Sequence, residues 1–190
     1  VYTELANDLH TPKALAHVFS FINNNPAEKF SDKAKNELIN FFAELNKVLS
    51  DVMIEFGVPK KGTALGDHEL KKMSNAYKNK RSVYYIIEND NKIFGGAGIS
   101  KLKNSNKNIC ELQKMYFLKE ARGIGLGRIM IEKCLSDAKN FGYTNCYIET
   151  MINMKSAQKL YLSQGFKFIE KPLGNTGHNA CPVWMIKKIL

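Results

Sequence analysis

An α/β fold is what three features of this 190-residue sequence predict: a mixed, mostly antiparallel sheet flanked by helices, behind an N-terminal helical hairpin. The first 57 residues place apolar side chains at helical spacing. Residues 82–117 switch to a period of two, and the remainder alternates helical and strand segments. A hydrophobic share of 44% against 24% charged residues is that of a folded globular chain.

Thr11-Pro12 supplies an N-cap and a proline suited to the first helical turn, and Leu15, Val18, Phe19 and Ile22 then share one face until Asn23-Asn24-Asn25-Pro26 stops the helix. Ser31 caps a second helix, on which Leu38, Phe42, Leu45, Leu49, Val52 and Phe56 alternate steps of four and three up to Gly57 and Pro59. Past Gly62 and Gly66, Asp67 opens a short helix carrying Leu70, Met73 and Tyr77. The segments SVYYIIE (82–88), KIFGGAGISKL (92–102) and ICELQKMYF (109–117) read as an antiparallel meander. A helix from about Gly125 to Phe141 follows, closed by Gly142, then a strand TNCYIET and a helix from about Lys155 to Gln164 closed by Gly165. FKFIE and CPVWMIKKI read as two last strands, with Trp184 in their core.

The four cysteines, Cys110, Cys134, Cys146 and Cys181, form no CxxC pair, so reduced thiols are expected and no metal site. Glu4 and Asp8 stand where a signal peptide has a basic patch, and no apolar run reaches membrane-spanning length; a cytoplasmic protein without membrane contact is expected. The net charge of +10 is uneven. Residues 1–57 carry five Lys and eight Asp or Glu, for −3, which leaves +13 on residues 58–190. That field attracts phosphates on a cofactor or a nucleic acid, or else reflects a lysine-rich solvated surface.

Arg122-Gly123-Ile124-Gly125-Leu126-Gly127 follows a strand and opens a helix. It lacks the third glycine spacing of the dinucleotide fingerprint and the lysine and hydroxyl of a P-loop. Unpaired N–H groups at a helix start, the helix dipole and missing Cβ atoms still suit a phosphate, and Arg122 and Arg128 bracket the turn with charge. A tight turn with glycines for geometry alone is the alternative.

Arg122-x-x-Gly125-x-Gly127 resembles the R/Q-x-x-G-x-G/A element with which the GNAT superfamily of N-acetyltransferases cradles the pyrophosphate of acetyl-CoA. Glu111-Leu112, eleven residues upstream of the arginine, resembles the start of that family's fourth strand, and AQKLYLSQGF (157–166) is similar to its A-x-x-L-Y-x-x-x-G-F element. The likeness spans about residues 46–190 and implies a GNAT-like fold. It also implies acetyl-CoA as co-substrate and direct transfer of the acetyl group to a primary amine on a small molecule or peptide, in a ternary complex with no covalent enzyme intermediate. Phe117, Leu118, Arg122, Gly123, Gly125, Leu126, Gly127 and Arg128 would hold the cofactor, with backbone N–H groups around Phe117 and Leu118 polarising the carbonyl where the family's fourth and fifth strands splay.

An alkyl ammonium is mostly unreactive at neutral pH until a base removes a proton. The resemblance places Glu111 as that base and Tyr161, in the L-Y element, as proton donor to the departing sulfur. Otherwise Glu111 reads as a solvated strand residue and Tyr161 as a packed helix aromatic. His178, in the loop Gly174-Asn175-Thr176-Gly177-His178 before the last strand, is a candidate substrate-binding residue or base; a solvated loop histidine is the alternative. Met154 stands where many family members carry asparagine, with Asn153 beside it.

Residues 7–16, NDLHTPKALA, resemble the D-D-x-N-T-P-x-A-L-A entry to the small helical, DALR-type domain of cysteinyl-tRNA synthetases, a likeness that covers about residues 3–50. The expected organisation is therefore a helical segment over 1–50 and an acetyltransferase domain over 51–190. The resemblance implies a strand before the first helix, where this sequence reads as further helix, so an uncovered sheet edge or the apolar stripe of 38–56 is a candidate dimer surface. Nucleic acid is not the expected partner, because residues 1–57 are acidic and contain no arginine. A CoA-binding module without turnover and a tRNA-associated binding protein are the two alternative functions.

Overall fold

The structure is a computed structural model, and it describes residues 31–66, 77, 79–90, 92–105 and 108–190. The expected helices around Thr11 and Asp67, the DALR-like entry motif and most of the first half of the hairpin lie outside the described residues.

Helix α1 runs from Asp32 to Glu55, and the Ser31 side chain caps it by accepting from the Ala34 N–H. Its first half is exposed or half-buried. Leu45, Val48, Leu49, Val52 and Met53 are buried, so the hydrophobic stripe meets the sheet over the C-terminal half. Position 50 lies inside this helix, with buried residues on both sides of it.

Among the described residues six strands follow: β1 (Val83–Asn89), β2 (Lys92–Lys101), β3 (Ile109–Phe117), β4 (Asn145–Thr150), β5 (Lys167–Ile169) and β6 (Val183–Lys188). Helix α2 (Leu126–Asn140) joins β3 to β4, and α3 (Lys155–Ser163) joins β4 to β5. The sheet order is β1-β2-β3-β4-β6-β5, antiparallel at every junction except the parallel β3–β4 pair. This is the mixed, mostly antiparallel sheet that the sequence predicts. Among the described residues only the β3–β4 pair is parallel, and the crossover that a parallel neighbour requires is supplied by α2.

The sheet has a core on each face. Leu126, Met130, Ile131, Cys134 and Ala138 of α2 pack on one side, over Ile99, Cys110, Leu112 and Phe117. On the other side α1 covers Tyr84, Ile86 and Ile93. The glycines of β2 make this second layer possible: a Cβ at Gly98 would lie 2.5 Å from the Tyr84 ring and 2.9 Å from Tyr77, whose rings sit 5.1 Å apart. All four cysteines are free thiols, three of them buried. Trp184 is half-buried beside Tyr147 and Ile109, a shallower position than a core strand residue would have. No helix among the described residues is long and apolar enough to cross a membrane.

Two irregularities in β3 create the space in which a site can form. From Gln113 to Tyr116 this strand spends three steps where β2 spends two, between Gly98 and Gly96. The extra residue is a bulge centred on Lys114, whose φ of +51° is a conformation that side-chain-bearing residues seldom adopt. Tyr84 fixes it by donating its hydroxyl to the Lys114 carbonyl at 2.8 Å. The second irregularity is that β3 pairs with β4 only through Ile109–Asn145, Cys110–Cys146 and Glu111–Tyr147, after which the two strands part.

Candidate active site

The parting of β3 and β4 opens a cleft of about 380 Å³. Met115, Tyr116 and Phe117 form one wall and Met154, Ala157, Leu160 and Tyr161 the other, with Val52 and Phe56 of α1 closing a side. The glycine turn lies at one end, where Arg122, Gly123, Gly125, Gly127 and Arg128 line the space.

The turn has the geometry of a phosphate cradle. Gly125 caps α2 with φ +90° and no side chain to accept from the helix, so nothing local covers the first N–H groups of α2. The bonds back to the Gly125 carbonyl come only from Arg128 and Ile129, at 3.0 and 3.2 Å. Gly127 is glycine for space: a Cβ there would stand 2.9 Å from Leu160 and 3.3 Å from Met115, across the cleft. An apolar trough ending in uncapped helical N–H groups suits an apolar arm that terminates in a pyrophosphate.

Arg122 differs from the sequence expectation in its partners. Its Nε donates to the Phe117 carbonyl at 2.7 Å, and its two other nitrogens grip both Glu55 oxygens at 2.8 and 2.6 Å while the guanidinium lies 4.8 Å from the Phe56 ring centroid. That bidentate bond holds the exposed Glu55 carboxyl below the usual range. The side chain therefore fastens the end of α1 to the end of β3 and the turn. Asn153 does the same from the opposite wall, donating to the Phe56 carbonyl at 2.7 Å. Arg128 remains exposed and pairs with Glu132 at 2.8 Å.

The two backbone donors expected around the end of β3 divide. Leu118 N–H is committed to the Phe94 carbonyl at 2.7 Å. Successive strand N–H groups point to opposite edges, so that of Phe117 faces the open edge, the same edge on which its carbonyl meets Arg122. The Leu118 and Leu126 side chains pack into the α1-side and α2-side cores, outside the cleft lining.

Tyr161 is buried in the cleft wall with its ring centroid 6.0 Å from that of Phe166. Burial pushes its phenol up, which keeps the proton on at neutral pH. Glu111 stands where the β3–β4 ladder stops and is 3% exposed. Gln113 donates to its Oε2 at 2.7 Å. Burial raises the Glu111 carboxyl above its ordinary value and the nearby Glu149 adds to this, against the lowering influence of the Gln113 bond, His178 and Lys114.

His178 comes to the same place: one ligand atom each from Glu111, Glu149 and His178 lie within 4.8 Å of one another. Glu149 has no sequence signal, since a lone glutamate on a strand reads as solvated. Its neighbours across space explain its burial: Tyr147 donates to one oxygen at 2.7 Å and Thr176 to the other at 2.6 Å. Glu55, Tyr116 and Lys114 escape sequence reasoning for the same reason, because their roles depend on non-local contacts.

Residues 47–166, more than half of the chain, match the family model described as Acetyltransferase (GNAT) family. The uncharacterized N-acetyltransferase YjgM of Escherichia coli (strain K12) is 36% identical over 144 residues, covering 75% of this chain and 86% of its own. Among solved structures, an acetyltransferase of the GNAT family from Staphylococcus aureus Mu50 superposes with a TM-score of 0.65 at 22% identity, over 85% of this chain and 96% of its own. YncA of Salmonella typhimurium, solved with acetyl-CoA, has a TM-score of 0.52 at 15% identity, over 63% and 72%.

Gly127→Val tests the cradle. It puts a branched side chain against Leu160 and Met115, and calorimetric titration with CoA should show affinity reduced by about tenfold or more in a folded protein. Unchanged affinity would place the ligand elsewhere.

Proposed function

The chain belongs to the GNAT family of acetyltransferases, and we propose that the cleft between β3 and β4 is where its transfer chemistry is set up. It is an acyltransferase that moves an acetyl group from acetyl-CoA to an amine. The observation that carries the assignment of roles is the fork itself, with the glycine turn at one end and a buried carboxylate where the strands part.

Bound acetyl-CoA supplies the acetyl group as an activated thioester. The first N–H groups of α2, with Gly123, Gly125 and Gly127 leaving room, receive the pyrophosphate, and Arg128 adds charge. Arg122 acts as a positioning residue: it holds the turn and the Phe117 carbonyl in place, so the adjacent Phe117 N–H is fixed toward the open edge as a donor to the carbonyl. Met115, Phe117, Ala157 and Leu160 exclude water along the apolar arm.

Glu111 takes the proton that an incoming ammonium must lose before its nitrogen can attack. A base whose pKa lies above the ordinary carboxylate range is better matched to that task near neutrality. Tyr161, protonated and in the cleft wall, holds a proton for the departing sulfur. His178 belongs to the acceptor side, near Glu111. The acceptor is a primary amine on a small molecule or peptide, and cytoplasmic action fits this cofactor.

Glu111→Gln should lower kcat by about a hundredfold or more with acetyl-CoA affinity unchanged. The rising limb of kcat/KM against pH, set above the ordinary carboxylate range by burial and by Glu149, should disappear. Because the folded-state pKa is raised, stability is full below the unfolded-state pKa and falls as pH rises through the folded one. The same variant should therefore melt higher than wild type at neutral pH. A normal kcat across pH would remove Glu111 from the chemistry. Tyr161→Phe keeps the packing and deletes the donor, and a full-rate variant in a coupled thiol-release assay would exclude the second role.

A further inference from the structure

We propose that Glu149, together with His178, forms a seat that receives the acceptor as a protonated primary ammonium and presents it to Glu111. The inference rests on the acetyl-transfer function and adds a specificity-determining residue that this function does not by itself require.

The cluster has room for an ammonium. Three acceptors about 2.8 Å from one tetrahedral nitrogen are about 4.6 Å apart, which matches donor-acceptor distances for a group with three N–H bonds. The Glu111, Glu149 and His178 atoms lie within 4.8 Å of one another, and His178 Nδ1 is 3.8 Å from Glu149 Oε2.

Glu149 is also built to stay in place. Its side chain is 5% exposed, and Tyr147 and Thr176 donate to opposite oxygens. Thr176 Oγ1 in turn accepts the His178 N–H at 3.1 Å, so one hydroxyl ties the strand carboxylate to the loop that carries the histidine. That loop is anchored further by Leu173 N–H to the Tyr147 hydroxyl at 3.3 Å, Asn175 N–H to the Lys103 carbonyl at 3.1 Å and Ala180 N–H to the Gly62 carbonyl at 2.9 Å. Two carboxyls held together in a buried place repel one another, and of the groups facing them Lys114 and His178 carry the opposing influence on Glu111. A cationic acceptor adds the charge that this arrangement favours, and it places the proton to be lost directly on the base. Binding by two carboxylates selects alkylamines over amines that are neutral in solution.

The test is steady-state kinetics of wild type and Glu149→Gln with butylamine, a cation at neutral pH, and aniline, which is neutral, alongside CoA calorimetry. We expect Glu149→Gln to raise KM for butylamine about tenfold with little change in KM for aniline or in CoA affinity. Equal KM for butylamine, or equal losses for both amines, would overturn the proposal. So would calorimetric binding of Zn²⁺ or Mn²⁺ that activates the enzyme and is abolished by Glu149→Gln. Should that variant not fold, Thr176→Val decides: a rise of about threefold in butylamine KM alone supports the seat, and no rise overturns it. Wild type inactive on every amine would instead refute the acetyl-transfer assignment, and the seat with it; turnover with unaltered butylamine KM in the variant refutes the seat alone.

Discussion

Three residue pairs hold β3 to β4, and the end of that ladder at Glu111 and Tyr147 is the constraint on which the rest of the site depends. A parallel pair that continued to the strand ends would close the sheet and leave no cleft. β4 pairs with β6 on its far edge along its whole length but with β3 only over residues 145–147, so β3 keeps an open edge from Leu112 to Phe117. An open edge inside a sheet leaves backbone groups without a ladder partner, and a ligand with polar groups along its length can satisfy them. The bulge at Lys114 occurs within this same stretch. It lets Leu112 and Phe117 pack under α2 although they are an odd number of positions apart.

An open fork needs to be held open, and the structure does this from outside the sheet. The end of α1 is tied to the β3 side by Arg122 on Glu55 and to the β4 side by Asn153 on the Phe56 carbonyl. Each wall therefore has one strong polar link to the same short segment of α1. This gives the helix a structural part in the site and accounts for the burial of Val52 and the half-burial of Phe56 along the cleft. The arginine that brackets the glycine turn binds its neighbours, the Phe117 carbonyl and Glu55, and leaves the first N–H groups of α2 without a side-chain cap.

Much of the fold was legible because its signals are local. The Ser31 cap, the period of two from 82 to 117, the glycine after α2 and the glycine after α3 each report a conformation decided within a few residues. The glycine turn was legible for the same reason, since Gly125 at φ +90° and the space required at Gly127 constrain the residue type directly. The bulge and the Glu55 partner of Arg122 were not, and the splay entered only as what the family resemblance implies. A lysine at φ +51° carries no mark in the sequence, and Glu55 lies 67 positions from the arginine it binds. Glu111 was a candidate only through the resemblance of Glu111-Leu112 to the start of the GNAT family's fourth strand; Glu149, on a neighbouring strand with no such motif, is marked out by the hydroxyls of Tyr147 and Thr176.

The proposed ligand path runs along the open edge of β3 and ends at the start of α2. Hydrogen exchange followed by mass spectrometry, with and without CoA, reports on those backbone groups directly. New protection is expected to concentrate at Phe117 and across residues 123–128, with little change at the β1–β2 hairpin. Saturating CoA that leaves these amides unprotected, or protects a different segment instead, would contradict it.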